Sequence, residues 1–401
     1  MSKRTTAIVI ASFLTVFVAF AVRYSYGLLL PEMLLSLVIS KTQAGIIYSS
    51  YFIAYTVFSP ILGLLADRHN ARLLLTLFVG ILGTGALLMS YSSSVINASL
   101  FFALAGIGHS ACWVPVVALI QRWVSEKRKG TALALVESGS AVGIAIWSTV
   151  IPYIVASYNW RAGWVSLGVL AFLVAGINFL LVRTRPDEES GLRQAISAEL
   201  NSEPISAIYK RLLDDATFWL IGLSYLSIGF SILVPFTFLS AYATQELMMP
   251  YEAATRLIAV IAISGLFGKL MLGPLSDAVG RIRVMMLCLV LTGVGNLGMA
   301  CLRGFYELNL FTAIFGFGYG AIWPVYAASA SDYFSRKSTG SVIGLWTLYL
   351  GVGSMLSPVI NGWVIDITGK YSWAFILAVM SAVISLLLLL PIRKVSSGAH
   401  A

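Results

Sequence analysis

The sequence predicts an all-α membrane protein, with twelve transmembrane helices in two six-helix bundles around a central cavity. Three observations predict it: an apolar composition, a train of span-length apolar runs, and a register that repeats between the two halves. Of the 401 residues, 59% are apolar and 11% charged, with a mean hydropathy of +0.89. A soluble domain carries about 45–50% apolar and about 25% charged residues, so a water-soluble enzyme is excluded. Disorder is excluded as well, because disordered chains are polar and highly charged.

Apolar runs broken by charged or turn residues lie near 6–30, 43–66, 73–91, 96–121, 130–156 and 161–182, and again near 216–244, 253–276, 284–302, 307–330, 340–365 and 371–392. Each is long enough to cross a hydrocarbon core, which takes about 20 residues. The first run follows Lys3 and Arg4 without a small-residue cleavage site, so it reads as a span and not as a removable signal. Between the two sets lies a polar stretch, 183–215, that holds Asp187, Glu188, Glu189, Arg193, Lys210 and Arg211 among its charges. The expected organisation is therefore a six-helix bundle over 1–182, a linker over 183–215, a second bundle over 216–392 and a tail over 393–401.

Loop cations test the orientation. Lys3, Arg4, Arg68, Arg72, Arg122, Lys127–Lys129, the linker cations, Arg281, Arg283, Arg336, Lys337, Arg393 and Lys394 fall on one side. Only Lys41, Arg161, Arg256, Arg303 and Lys370 fall on the other. The bias is roughly fourfold and places both termini and the linker in the cytoplasm. The net charge of +9 is thus spent on membrane orientation, and no nucleic-acid partner is expected. Cys112, Cys288 and Cys301 lie in apolar runs with no CxxC spacing and read as small buried hydrophobes.

The repeat is set at 210 residues, the separation of Asp67 from Asp277. Gly63-Leu64-Leu65-Ala66-Asp67-Arg68 ends span 2, with Arg72 following. Gly273-Pro274-Leu275-Ser276-Asp277 ends span 8, with Gly280, Arg281 and Arg283 following. Span 4 carries Gly106-x-Gly108-His109-x-Ala111-x-Trp113, and span 10 carries Gly316-x-Gly318-Tyr319-x-Ala321-x-Trp323 at the same offset. Gly130 and Gly340 keep it again. The glycine string matches a dinucleotide fingerprint, but both copies sit inside apolar helices and not between a strand and a helix, so the small residues serve close helix packing. An Asp at a helix end can cap a neighbouring helix, and nearby arginines can pair across the bundle interface. Gly63, Asp67, Arg72, Asp277 and Arg281 are therefore the expected cytoplasmic gate.

A duplicated six-helix unit with this loop twice resembles the major facilitator superfamily over essentially the whole chain. The first copy departs from the family loop at Asn70 and Ala71, where Gly and a basic residue are usual. The resemblance implies two bundles around a cavity, working by alternating access. Two further segments, Arg23-Tyr24-Ser25-Tyr26-Gly27 with Pro31 in span 1, and Arg122–Gly130 with Ser138-Gly139-Ser140-Ala141-Val142-Gly143 at span 5, resemble the monocarboxylate transporter and oxalate/formate antiporter branch. That likeness implies a span 8 cation as partner of a substrate carboxylate, here matched by Lys269. The branch's span 11 lysine is matched by Tyr349, and the loss of this second cation favours a substrate with one carboxylate. Tyr26 and Leu28 sit beside the span 1 stretch that lines the branch's pocket.

The residues point the same way on their own. An ionisable side chain deep in a span costs at least about 2.5–3.5 kcal/mol on insertion scales and is a functional candidate by default. Lys269 lies about nine residues from the end of its span, roughly 14 Å deep. It calls for an anion opposite, supplied by a solute or by Glu137 as an internal ion pair. Glu137 is itself a candidate for proton coupling or for a packing hydrogen bond. Arg23, expected a turn or two from the outer end, would bind or gate, or else snorkel to the interface. His109 and Tyr319 hold equivalent places in the repeat, with Trp113 and Trp323 four residues on. Tyr319, Trp323 and Tyr326 put an aromatic face on span 10, suited to an apolar substrate body or to the core.

Three histidines, with His69 in a loop and His400 at the tail, furnish no metal ligand set. No phosphate-cradling Gly-Lys-Ser/Thr loop is present, so ATP is not expected to drive the protein. Neither a cofactor nor a catalytic constellation is expected. The functional expectation is a secondary active transporter of small organic anions in a bacterial inner membrane. It would act as a monomer on a monocarboxylate such as lactate, by proton symport or exchange against a counter-anion. The alternative is a proton-coupled antiporter that exports apolar or cationic compounds.

Overall fold

The computed structural model describes residues 3–68, 70–125, 128–183, 211–334 and 339–392. Most of the linker expected over 183–215, and the tail over 393–401, therefore lie outside the described residues. Among the described residues, twelve helical spans are long and apolar enough to cross a membrane. In a bilayer every backbone N–H and C=O must be satisfied within the segment, which is why each apolar run resolves into helix.

In chain order the helices of the first half are α1 (Lys3–Leu37), α2 (Lys41–Arg68), α3 (Ala71–Met89), α4 (Val95–Ser110), α5 (Val114–Trp123), α6 (Lys129–Ser157) and α7 (Trp160–Leu181). Those of the second half are α8 (Ala216–Gln245), α9 (Tyr251–Val279), α10 (Arg281–Cys301), α11 (Phe305–Tyr333), α12 (Thr339–Thr368) and α13 (Ser372–Leu389). The expected spans all appear, with one difference inside the fourth. It is split into α4 and α5, which together cross as Val95–Trp123. Pro115 sits in the first turn of α5, where its missing N–H is harmless but a continuous helix through it would lose a bond and clash.

Within the first half α1 packs on α6 and α7, α2 on α4, and α3 on α4 and α7. The second half repeats this, with α8 on α12 and α13, α9 on α11, and α10 on α11 and α13. The halves meet along three crossings: α1 with α8, α2 with α12, and α6 with α9. Close helix approaches recur at the sequence offset. A Cβ on Gly106 would collide with the Tyr51 carbonyl, and one on Gly316 with that of Ile261. A Cβ on Gly85 would meet Ala105, and one on Gly295 would meet Phe315. Each partner, like each glycine, lies 210 residues from its counterpart, so the duplication holds at the level of side-chain neighbours.

The two copies of the span 2–3 and span 8–9 loop differ where their sequences do. Gly280 adopts φ 105° between α9 and α10, a left-handed value that favours glycine. At the matching position Asn70 keeps φ −62° and caps α3, its side chain accepting from the Arg72 N–H. Asparagine thus starts the helix by a side-chain cap, where glycine does so by backbone freedom.

Candidate functional site

A cavity of about 170 Å³ lies between the halves, lined from α1, α2, α4, α6, α8, α9, α11 and α12. Lys269, Arg23, His109, Tyr319, Trp113, Trp323 and Glu137 all reach it. Four expected members do not. Tyr26 is buried against Tyr48 and Phe102, at ring centroids of 4.8 and 5.1 Å, and its hydroxyl donates to the Ala44 carbonyl at 2.7 Å. Leu28 is buried, and its carbonyl accepts from the Tyr251 hydroxyl at 2.8 Å. Both lie further along α1 than Arg23 and Tyr24 and are buried in packing instead of lining the cavity. Tyr326 stacks behind Tyr225 at 4.3 Å and shares a 2.6 Å hydrogen bond with Ser224. Tyr349 packs edge-on against Phe218 and Trp219.

Lys269 Nζ donates to Glu137 Oε1 at 2.7 Å. The pair joins α9 to α6 across the two halves, and each side chain keeps about a quarter of its surface exposed, 24% and 26%. Of the alternatives the sequence left open for Lys269, the internal anion is therefore present, yet the pair remains in the cavity wall. Its counterparts in the repeat are Ser59 and Thr347, both neutral, so charge breaks the symmetry here.

Arg23 sits elsewhere than expected. α1 runs on to Leu37, about 21 Å beyond Arg23 at about 1.5 Å per residue, which is too far for snorkelling. Its guanidinium carbon lies 4.4 Å from the Phe52 ring centroid, 5.2 Å from Tyr24, 5.7 Å from Tyr55 and 5.9 Å from Phe20. No carboxylate pairs with it among the described residues. Its Nε is buried without a hydrogen-bond partner among them. Cation–π contacts of this kind are worth about 0.5–2 kcal/mol each. They hold a cation in place without neutralising it.

Across from Arg23, His109 Nδ1 shares a short hydrogen bond with the Tyr51 hydroxyl, and its ring meets Phe20 and Tyr55 edge-on. Tyr24 and Tyr319 face each other across the halves, hydroxyl to hydroxyl at 3.4 Å. Phe20, Phe52, Tyr55 and Tyr225, also in the wall, were not singled out from the sequence. A signal existed for two of them. Tyr48, Tyr51, Phe52 and Tyr55 fall at i, i+3, i+4 and i+7 on α2, one helical face. No group of three or more His, Cys, Asp or Glu side chains converges on a metal position among the described residues.

Among the described residues, the arginines of the expected gate find partners within their own halves. Arg281 pairs with Asp277 and, at 3.3 Å, with Asp332, so it binds α9 and α11 of its own half to the start of α10. Arg72 lies over the Phe179 ring at 4.0 Å, within the first half. The reason is reach. Each arginine finds a partner one helix away before it could span the bundle interface. The side chains of Gly63 and Asp67 lie outside the described residues. At the opposite end, where no gate was expected, the halves do close. The Asp366 carboxylate, on the last turn of α12, accepts from the backbone N–H groups of Lys41 and Thr42 at 3.0 and 2.8 Å. It thereby caps α2 of the other half.

A family model described as Major Facilitator Superfamily matches residues 12–270 and 236–401. The hexuronate transporter of Bacillus subtilis is 25% identical over 94% of this chain and 92% of its own. Monocarboxylate transporter 12 of Xenopus laevis is 25% identical over 82% of this chain and 76% of its own. Among solved structures, the nucleoside transporter NupG superposes with a TM-score of 0.77 at 14% identity, over 98% of this chain and all of its own; that likeness bears on the fold alone. Fold, repeat and family match agree, and the chain belongs to the major facilitator superfamily.

Proposed function

We propose that this protein is a secondary active transporter of small organic anions carrying one carboxylate, with Arg23 as the receptor for that group. The observation that carries the proposal is an arginine held in the wall of the central cavity by aromatic rings, with no carboxylate paired to it among the described residues. A guanidinium offers two parallel donors to a carboxylate, and the cavity excludes much of the water that would otherwise compete. The names of the relatives, hexuronate and monocarboxylate transporters, support an acidic solute. The same reading makes the protein a carrier and not an enzyme.

Lys269, a candidate from the sequence both for substrate binding and for proton coupling, takes the coupling part. Tied to Glu137, it bridges the halves and can be released when the carboxylate is protonated or when a solute anion approaches. That suits proton symport, and exchange against a counter-anion would use the same pair without a net proton. Alternating access then amounts to breaking the Asp366 cap on α2 while the linker end closes. Monomeric action, a bacterial inner membrane and cytoplasmic termini belong to the same proposal, the last from the loop cations.

Uptake of labelled lactate into proteoliposomes tests it. Arg23→Ala is expected to lower uptake at least a hundredfold, and Arg23→Lys, which keeps the charge but not the fork, about tenfold. Uptake by Arg23→Ala at the parent rate overturns the site. The second reading, an exporter of apolar or cationic compounds with Glu137 as coupling acid, draws on the aromatic lining. It predicts cation efflux that Glu137→Gln abolishes and Arg23→Ala improves.

A further inference from the structure

We infer that the solute is a monocarboxylate built on a single aromatic ring, of the benzoate or phenylacetate kind, and not a hydroxylated sugar acid or a dianion. The inference rests on the organic-anion reading above and specifies its substrate class.

Charge fixes the number of acidic groups. The cavity wall carries Arg23, Lys269 and Glu137, and the last two neutralise each other at 2.7 Å. One unpaired positive charge remains among the described residues, and it matches one carboxylate. A second anionic group on the solute would have to displace Glu137 or stay buried without a partner, which is strongly unfavourable.

Wall chemistry fixes the body. Around and across from Arg23 the surface is ring faces and edges, among them Tyr24, Phe52, Tyr55, Trp113 and Trp323. A sugar acid needs a partner for each hydroxyl, and four of the eight hydroxyl side chains in the wall already bond within the protein. Ser140 donates to the Glu137 carbonyl at 2.7 Å, Thr347 to the Ile343 carbonyl at 2.8 Å, and Tyr24 faces Tyr319. Rings, by contrast, gain from offset or edge-on contacts with such walls.

Volume fixes the size. The cavity measures about 170 Å³, and an apolar protein cavity of about 150 Å³ is known to take one benzene molecule. One ring with a carboxylate fills such a space. Lactate leaves much of the wall uncovered.

The test is equilibrium binding to the purified full chain in nanodiscs, read by quenching of tryptophan fluorescence and by calorimetry, with benzoate, lactate, glucuronate, phthalate and the neutral benzamide as probes. Benzoate is expected to bind at least about tenfold more tightly than lactate, glucuronate and phthalate, since only it both covers the rings and carries a single charge. Trp323→Ala should weaken benzoate at least fivefold and leave lactate within twofold, a selective effect that general misfolding would not produce. Lactate, glucuronate or phthalate binding as tightly as benzoate overturns the ring assignment and leaves the organic-anion reading standing. Equal loss of benzoate and lactate in Trp323→Ala overturns it too. Benzamide binding as tightly as benzoate, or no acid binding at all, overturns the anion reading and this inference together.

Discussion

Arg23 and Lys269 carry the same charge and line the same cavity, yet their surroundings differ. Lys269 has a carboxylate within hydrogen-bond reach, whereas Arg23 has rings. A charged hydrogen bond that is only partly buried contributes about 1–3 kcal/mol, so Lys269→Met and Glu137→Gln should each lower the thermal stability of the purified protein by about that much. The double variant should recover most of the loss, because neither charge is then left alone. Additive losses in this double-mutant cycle would show that the two side chains do not act as a pair. Sequence reading reached both residues by depth, and Lys269 also by the family resemblance, and it gave the ion pair as one alternative for Lys269. It could not rank the partner, because Glu137 and Lys269 are 132 residues apart and meet only through the crossing of α6 with α9.

Elements are where the sequence was most legible. Span existence follows from hydropathy, and the repeat from spacing, and both recur in the helices and their neighbours. What spacing could not convey is orientation. Tyr26, three residues from Arg23 and within about 60° of it around α1, packs against Tyr48 and Phe102 of its own half while Arg23 lines the cavity, because the helices that flank α1 differ with height. The split of the fourth span was written in Pro115 but masked by the apolar run around it. Close helix approach also yields a prediction. A Cβ on Gly268 would collide with the Phe317 carbonyl, while one on Gly273, a turn further along α9, meets nothing within 4 Å. Gly268→Ala should force α9 away from α11 and cost about 1–3 kcal/mol, seen as a fall in melting temperature and in folded yield. Gly273→Ala should match the parent within about 0.5 kcal/mol. Equal behaviour of the two variants would refute the packing argument.

At the scale of the whole molecule the closed end is held by polar contacts between halves, with Asp366 capping α2 as the clearest. Removing a helix cap typically costs about 0.5–2 kcal/mol, and here the loss falls on the arrangement in which this end is closed. Asp366→Ala should therefore shift the population toward opening at this end by about fivefold for each kilocalorie. Spin labels on Val38→Cys and Lys370→Cys, both exposed at that end, would report the shift as a longer distance component. An unchanged distance distribution would mean that other contacts hold the closure. The described arginines of the expected gate find partners within their own halves for a related reason. Asp277 and Arg281 were legible as a charged motif, but their four-residue spacing lets them satisfy each other on adjoining helices, and nothing local in the sequence says which conformation is at rest.

By itself the sequence determined the spans, their number and their duplication, because satisfying backbone hydrogen bonds in lipid is a requirement each segment meets alone. Tertiary structure decided which cation is paired and which is free, which face of α1 meets the cavity, and which end of the molecule is closed. Those outcomes depend on helices far apart in the chain crossing at a given angle and height, and a pairing of that kind is a property of packing that no single segment carries.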